Sequence, residues 1–232
     1  MQASVLENIQ ETHNVKCLRI KPESFLSFKP GQFIMVSHNA MKDGNPIEVK
    51  RAYSIASSPL NHDYIELAFD IKEFGLVSPY LYNLKKNDKV EISEPNGFFT
   101  FDDNIKEELI LIGAGTGIVP LIGISRYISE KNLPNKITLI YSCKTKKDII
   151  FHEEMKRIKE HHKGFVYHIT LTQEEWDGLS SRINPSLIKQ LTGNFNNKIF
   201  YICGPPKMVI EISKELQELG VLKDRIKLEG YE

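Results

Sequence analysis

A chain of 232 residues has room for one large domain or for two of about a hundred each, and two is the expectation, because either size can bury a core. Lys and Arg together number 30, as do Asp and Glu, and no long run of one sign occurs, which argues against a nucleic-acid arm or an acidic tail. Cys17, Cys143 and Cys203 are odd in number and far apart, which suits a reduced cytosolic protein and is too few for an iron–sulfur cluster. The opening stretch MQASVLENIQET has neither a basic start nor an apolar core, and no run approaches membrane-span length. The expectation is a cytoplasmic protein with no nucleic-acid or membrane partner.

The first part of the chain reads as short β-branched or aromatic runs between breakers. VKCLRI (15–20), FIMVSH (33–38), YIELAFDI (64–71) and KVEIS (89–93) are separated by KPG, DGNP, PLNHD and EPNG. This spacing predicts an antiparallel barrel or sandwich. Within it, RAYSIASSP (51–59) is strand-like but carries Arg51, Tyr53 and Ser54. That pattern fits either a charged edge strand or a place to hold something flat and anionic. One short helix is expected at SPYLYNL (78–84), with Ser78 as its N-cap and Pro79 as its first helical residue. Its N-terminus, in GLVSPYL (75–81), is either an anion cradle or an ordinary capped start.

The polar stretch DDNIKEE (102–108) marks a change of pattern, and the expected division is 1–103 and 104–232. Beyond it, ELILIGA, KITLIYS, FVYHITL, KIFYICG and RIKLEG alternate with VPLIGISRYISEK, IIFHEEMKRIKEH, NPSLIKQL and PKMVIEISKELQEL. Continuous apolar strands between amphipathic helices predict a parallel sheet covered on both faces. The first strand runs into GAGTGIVP (113–120), where a glycine turn and a helix start aim backbone N–H groups at one point, a fit for pyrophosphate. Glycine turns also serve close packing, and this one lacks the G-x-G-x-x-G spacing. No acid closes the second strand, which ends at Ser142, Cys143 and Lys144. CGPPKM (203–208) ends the fourth strand. Gly204 would let a ligand approach, and Cys203 would share a crevice with Thr116 or else be a buried small side chain.

Taken together these motifs resemble the ferredoxin–NADP reductase superfamily, which includes cytochrome b5 reductases, flavin reductases and reductase components of oxygenases. The resemblance runs from the GQF of FKPGQFIMV to the terminal EGYE, through R-x-Y-S, Gly75 to Ser78, G-x-G-T-G-x-x-P and C-G-P-P. It implies an N-terminal antiparallel β-barrel for FAD and a C-terminal parallel α/β domain for NAD(P). On that resemblance Arg51 meets the FAD pyrophosphate, Tyr53 packs on the isoalloxazine and Ser54 lies near flavin N5. Ala52, Phe69, Ile71, Gly75, Leu76, Val77, Ser78 and Thr116 complete the flavin site, with Tyr231 stacked on the ring.

For NAD(P) it implies Gly115, Thr116, Gly117, Pro120, Ser142, Lys144, Arg182, Cys203, Gly204, Pro205 and Met208. Ser54, Cys203 and Glu229 become the polar group around the hydride contact. Glu232 follows Tyr231, a departure from the family's E-x-Y ending. The implied reaction exchanges a hydride between nicotinamide and flavin, and single electrons with a carrier such as ferredoxin or flavodoxin. Alternatives are a free-flavin or ferric reductase, an oxygenase reductase component, or a non-catalytic electron-transfer subunit. Lys144, Lys146, Lys147 and Arg182 favour a 2′-phosphate and Gln173, Glu174 and Glu175 oppose it, which leaves NAD and NADP both open. His152, His161 and His162 lack ligand spacing for a metal, GISRY (123–127) is no nucleophile elbow, and Trp176 reads as packing.

Overall fold

The computed structural model describes residues 1–71 and 75–230. The first hairpin joins β1 (Gln2–Gln10) to β2 (Val15–Pro22), with a register shift between Val5 and Glu7. The second joins β3 (Phe33–Lys42) to β4 (Asn45–Ser54). Asp43 and Gly44 between them have φ of 51° and 80°, the left-handed pair that a two-residue hairpin turn requires. Then come β5 (Ile65–Asp70), the short helix α1 (Ser78–Asn83) and β6 (Lys89–Ile92).

The order β4-β3-β6-β1-β2-β5 is antiparallel throughout, as expected for this half. The two end strands meet through an Ile55–Leu67 bridge and an Ala56 N–H to Glu66 O bond of 2.7 Å, so the sheet curls into a barrel. Leu18, Ile20, Ile34, Val36, Leu67 and Ile92 fill it. Each such fully buried side chain contributes about 1.5–3 kcal/mol.

The helix start differs from expectation by one residue. The cap position of α1 falls on Val77, whose backbone is already helical and which lends no capping side chain, and Ser78 is a buried residue of the first turn. Leu81 N–H reaches Val77 O at 2.9 Å, so the first turn closes one residue earlier than the serine suggested.

The second half alternates β7 (Glu108–Ala114), α2 (Ile118–Glu130), β8 (Ile137–Cys143), α3 (His152–His161), β9 (Phe165–Leu171), α4 (Pro185–Thr192), β10 (Lys198–Gly204), α5 (Pro206–Glu218) and β11 (Ile226–Gly230). All pairs in the order β11-β10-β7-β8-β9 are parallel. Helices α2 and α3 cover one face and α4 and α5 the other. The chain winds outward from β7 through β8 to β9, then returns to β10, so β7 and β10 flank the switch point where open α/β sheets bind ligands.

The barrel docks on the α2–α3 face. Cys17, Ala56, Phe99 and Phe101 of the barrel share one apolar cluster with Ile122, Ile128 and Tyr201, and Tyr201 Oη donates to Thr100 O at 2.9 Å. Among the described residues no helix is long and apolar enough to cross a membrane.

Candidate active site

Strand periodicity puts Ile47, Val49, Arg51 and Tyr53 on one face of β4, and Val49 and Tyr53 pack against the barrel core. The Tyr53 ring meets Phe69 of β5 edge-on, with centroids 5.7 Å apart. Burial pushes its phenol above the usual range, so it stays neutral at working pH. Two residues before it, Arg51 is exposed, its guanidinium donating to Lys50 O at 2.9 Å. His38, paired with Val49, stacks on Tyr80 at 4.0 Å, which sets α1 over this same face.

A flat, half-buried ring beside a forked, charged donor fits a flavin dinucleotide: apolar support for the ring system and a cation for the pyrophosphate. Ala52 points the other way and is exposed. Around this face Val77 and Ser78 are buried, whereas Ile71 and Leu76 keep 40% and 37% of their surface open. Gly75 is half-buried.

At the switch point the glycines divide by role. Gly115 has φ of 55°, and a Cβ there would meet nothing within 4 Å, so its backbone faces open space beside the half-buried Thr116. At Gly117 a Cβ would stand 2.2 Å from Cys203 O, so this glycine lets the turn pack on β10. Gly204 brings the chain close to Ala114 and Met208 of the protein itself. Pro120 is buried in the first turn of α2, and Pro205 is exposed. Of the expected cradle, Gly115 and Thr116 at the positive end of α2 are therefore the groups accessible to a pyrophosphate.

Glu229, Cys203 and Gly113 lie in register across β11, β10 and β7. Ser54 Oγ donates to Glu229 Oε1 at 3.1 Å across 175 residues of sequence. The ends of the barrel strand and of the parallel sheet thus meet at two of the three residues expected around the hydride contact. Ser54 is 4% exposed, and Cys203, beside Glu229, is wholly buried in the interface cluster.

At the end of β8, Ser142 is half-buried and Lys144 exposed. Glu174 accepts the Lys146 backbone N–H at 2.8 Å, and Gln173 N–H reaches Lys144 O at 2.9 Å. Burial, with Asp148 and Glu174 nearby, pushes the Cys143 thiol up to about 12. Arg182 is exposed in segment 172–184. Tyr231 lies outside the described residues.

Sequence reasoning missed a buried ion cluster behind this site. Arg126 of α2 donates to Glu66 of β5 at 2.7 Å and to Glu154 of α3 at 2.8 Å, and Arg19 of β2 donates to Glu66 at 2.8 Å. The signal was present: Glu66 stands inside the apolar run YIELAFDI, and Arg126 inside the apolar helix IVPLIGISRYISE. Ser125, next to it, is buried and bonds back to Leu121 O, as a serine inside a helix does.

Residues 2–101 match the oxidoreductase FAD-binding domain and residues 111–214 the oxidoreductase NAD-binding domain. The glycine betaine monooxygenase reductase subunit of Pseudomonas aeruginosa is 27% identical over 230 residues, which are 96% of this chain. This chain covers 62% of that relative, less than two thirds of its length. NADH-cytochrome b5 reductase 1 of Pyricularia oryzae is 30% identical over 224 residues, covering 92% of this chain and 72% of the relative. The flavohem-like FAD/NAD binding domain of nitric oxide dioxygenase from Vibrio cholerae superposes with a TM-score of 0.88 at 25% identity, covering 99% of this chain and 98% of that one. With a flavin-binding barrel followed by a nicotinamide-binding parallel sheet, the chain belongs to the ferredoxin–NADP reductase superfamily of FAD- and NAD-binding oxidoreductases.

Proposed function

We propose that this protein is an FAD-dependent, NADH-oxidising reductase that passes electrons singly to a small carrier protein of the ferredoxin or flavodoxin class. The observation that carries it is the 3.1 Å contact of Ser54 with Glu229, which joins the strand of the flavin face to the ends of the nicotinamide sheet. When bound, the flavin supplies the redox chemistry, accepting a hydride as an electron pair and releasing electrons one at a time.

The chain's own groups bind and orient. Arg51 holds the flavin pyrophosphate as a charged fork, and Tyr53, backed by Phe69, supports the ring system. Gly115 and Thr116 offer backbone N–H groups at the start of α2 to the nicotinamide dinucleotide. Glu229 fixes the direction of the Ser54 hydroxyl, and the interface cluster around Cys203 keeps water from the strand ends. We take 1–103 and 104–232 as the two functional units.

The end of β8 supports the choice of NADH. A backbone N–H that could meet a 2′-phosphate is bonded to Glu174, whose carboxylate repels a phosphate dianion and can accept from a ribose hydroxyl. Likeness to an NADH-cytochrome b5 reductase supports the same choice. A second reading, the reductase component of an oxygenase, is favoured by likeness to the glycine betaine monooxygenase reductase subunit.

Anaerobic titration of the FAD-loaded protein with NADH and NADPH tests the first step. Rapid bleaching of the oxidised flavin by NADH is expected, and bleaching by dithionite alone would overturn the reading. Turnover with ferredoxin, flavodoxin, an oxygenase component and free flavin then separates the acceptors.

A further inference from the structure

Helix α2 links the two halves of the site. It begins at the Gly115–Gly117 turn, where the nucleotide is expected, and passes under the backbone that follows Ser54. Gly123 and Arg126, three apart on one helix face, make that crossing. A Cβ at Gly123 would lie 2.6 Å from Ile55 O, so only a glycine lets the helix come this close. One turn on, Arg126 Nη1 donates to Ala56 O at 2.9 Å and to Glu66 at 2.7 Å, while its Nε donates to Glu154. Glu66 in turn accepts from Arg19, its own backbone N–H is bonded to Ser57 Oγ, and its carbonyl accepts from Ala56 N–H.

Resting on the oxidoreductase reading above, we propose that Arg126 is a positioning residue for hydride transfer, clamping the Ile55–Ala56 backbone, and so Ser54, onto the helix that carries the nucleotide turn. The side chains of Arg126, Glu66 and Glu154 are 12%, 3% and 13% exposed, so the cluster is desolvated. Burying charges this way is an inefficient route to stability, since apolar groups of the same shape do as well or better. It is an efficient route to geometry, because a planar guanidinium holds several acceptors at fixed angles where a lysine or an apolar chain does not. Hydride transfer is sensitive to such geometry, with a displacement of about 1 Å costing ~100-fold in rate.

The test compares wild type with Arg126→Lys, which keeps the charge and loses the fork. A second comparison uses the double variant Arg126→Met/Glu66→Gln, in which Glu154 keeps Arg157 and Arg19 keeps Glu7. Three quantities are read: NADH Kd, the rate of flavin reduction at saturating NADH with its deuterium isotope effect, and hydrogen exchange of the Ala56 amide in the flavin-free protein. The expected result is a Kd within about twofold of wild type, a reduction rate lower by roughly 10- to 100-fold and an enlarged isotope effect. Ala56 exchange is expected to rise about tenfold while the barrel strands stay protected. A wild-type reduction rate in both variants, whatever their melting temperatures, overturns the proposal. Should the wild-type flavin be reduced by neither nucleotide, the functional reading fails. The clamp is then judged on Ala56 exchange alone: unchanged exchange removes it, and selective loss of protection supports it.

Discussion

The barrel and the α/β layer meet in two places built on different physics. At the strand ends a hydrogen bond joins Ser54 to Glu229, the latter on the edge strand β11 and half-buried. Deeper in, Arg126 is shared by Glu66 and Glu154 with almost no water, and Gly123 lies against Ile55. The strand-end contact is a hydrogen bond to a carboxylate, a class worth about 1.5–3 kcal/mol, and its acceptor Glu229 is only half-buried. The deep cluster cannot be opened cheaply, because each charge parted from its partner stays buried. On the proposed reading, a site that admits a nicotinamide and then holds it joins a lighter contact at the strand ends to a fixed anchor behind them.

Breaking the anchor should cost most. Glu66→Ala strips Arg126 and Arg19 of a shared partner that is 3% exposed, and a loss of about 3–5 kcal/mol is expected in denaturant unfolding. A loss under about 1 kcal/mol would mean that the cluster is solvated in solution. Arg51→Ala should leave the melting temperature of the flavin-free protein unchanged and weaken FAD binding by about 10- to 100-fold in a fluorescence titration, the worth of a charged hydrogen bond. Unaltered affinity would move the pyrophosphate away from Arg51.

Gly123→Ala forces a methyl group against Ile55 O, and about 1–3 kcal/mol of overpacking should appear as a lower melting temperature. The smallest effect is one of pH. Burial works against the Glu154 charge, but Arg157 and Arg126 outweigh it and hold the folded group below its ordinary 4.5. A carboxylate depressed in this way contributes its stability above the ordinary value and loses it as pH falls through the folded value. Wild type should therefore lose more melting temperature than Glu154→Gln between about pH 5 and about pH 3, and parallel curves would contradict this.

How much of this was legible follows from what each element does. Strands buried on both faces announce themselves, so β7 and β10 lie where ELILIGA and KIFYICG predict them. The hidden strand was β1, whose alternation in QASVLENIQ is broken by the register shift after Val5. The first half of β4, NPIEVK, was hidden for another reason: it is mostly exposed, paired only with β3, and opens on Asn and Pro. Arg51, Tyr53, Ser54 and Glu229 were legible as motif residues, and their mutual placement was not, because 175 residues separate Ser54 from Glu229. Arg126 and Glu66 were invisible as a pair for the same reason. Each looks like a lone charge in an apolar element until the fold brings them together.

The most direct test of the central contact is a double-mutant cycle on flavin reduction by NADH under single-turnover conditions, with Ser54→Ala, Glu229→Gln and the pair. If the 3.1 Å bond joins the two halves of one site, each single change should slow reduction by about tenfold and the pair should be little slower than either. Losses that simply multiply would show that Ser54 and Glu229 act independently, and would contradict a shared hydride site at the junction of barrel and sheet.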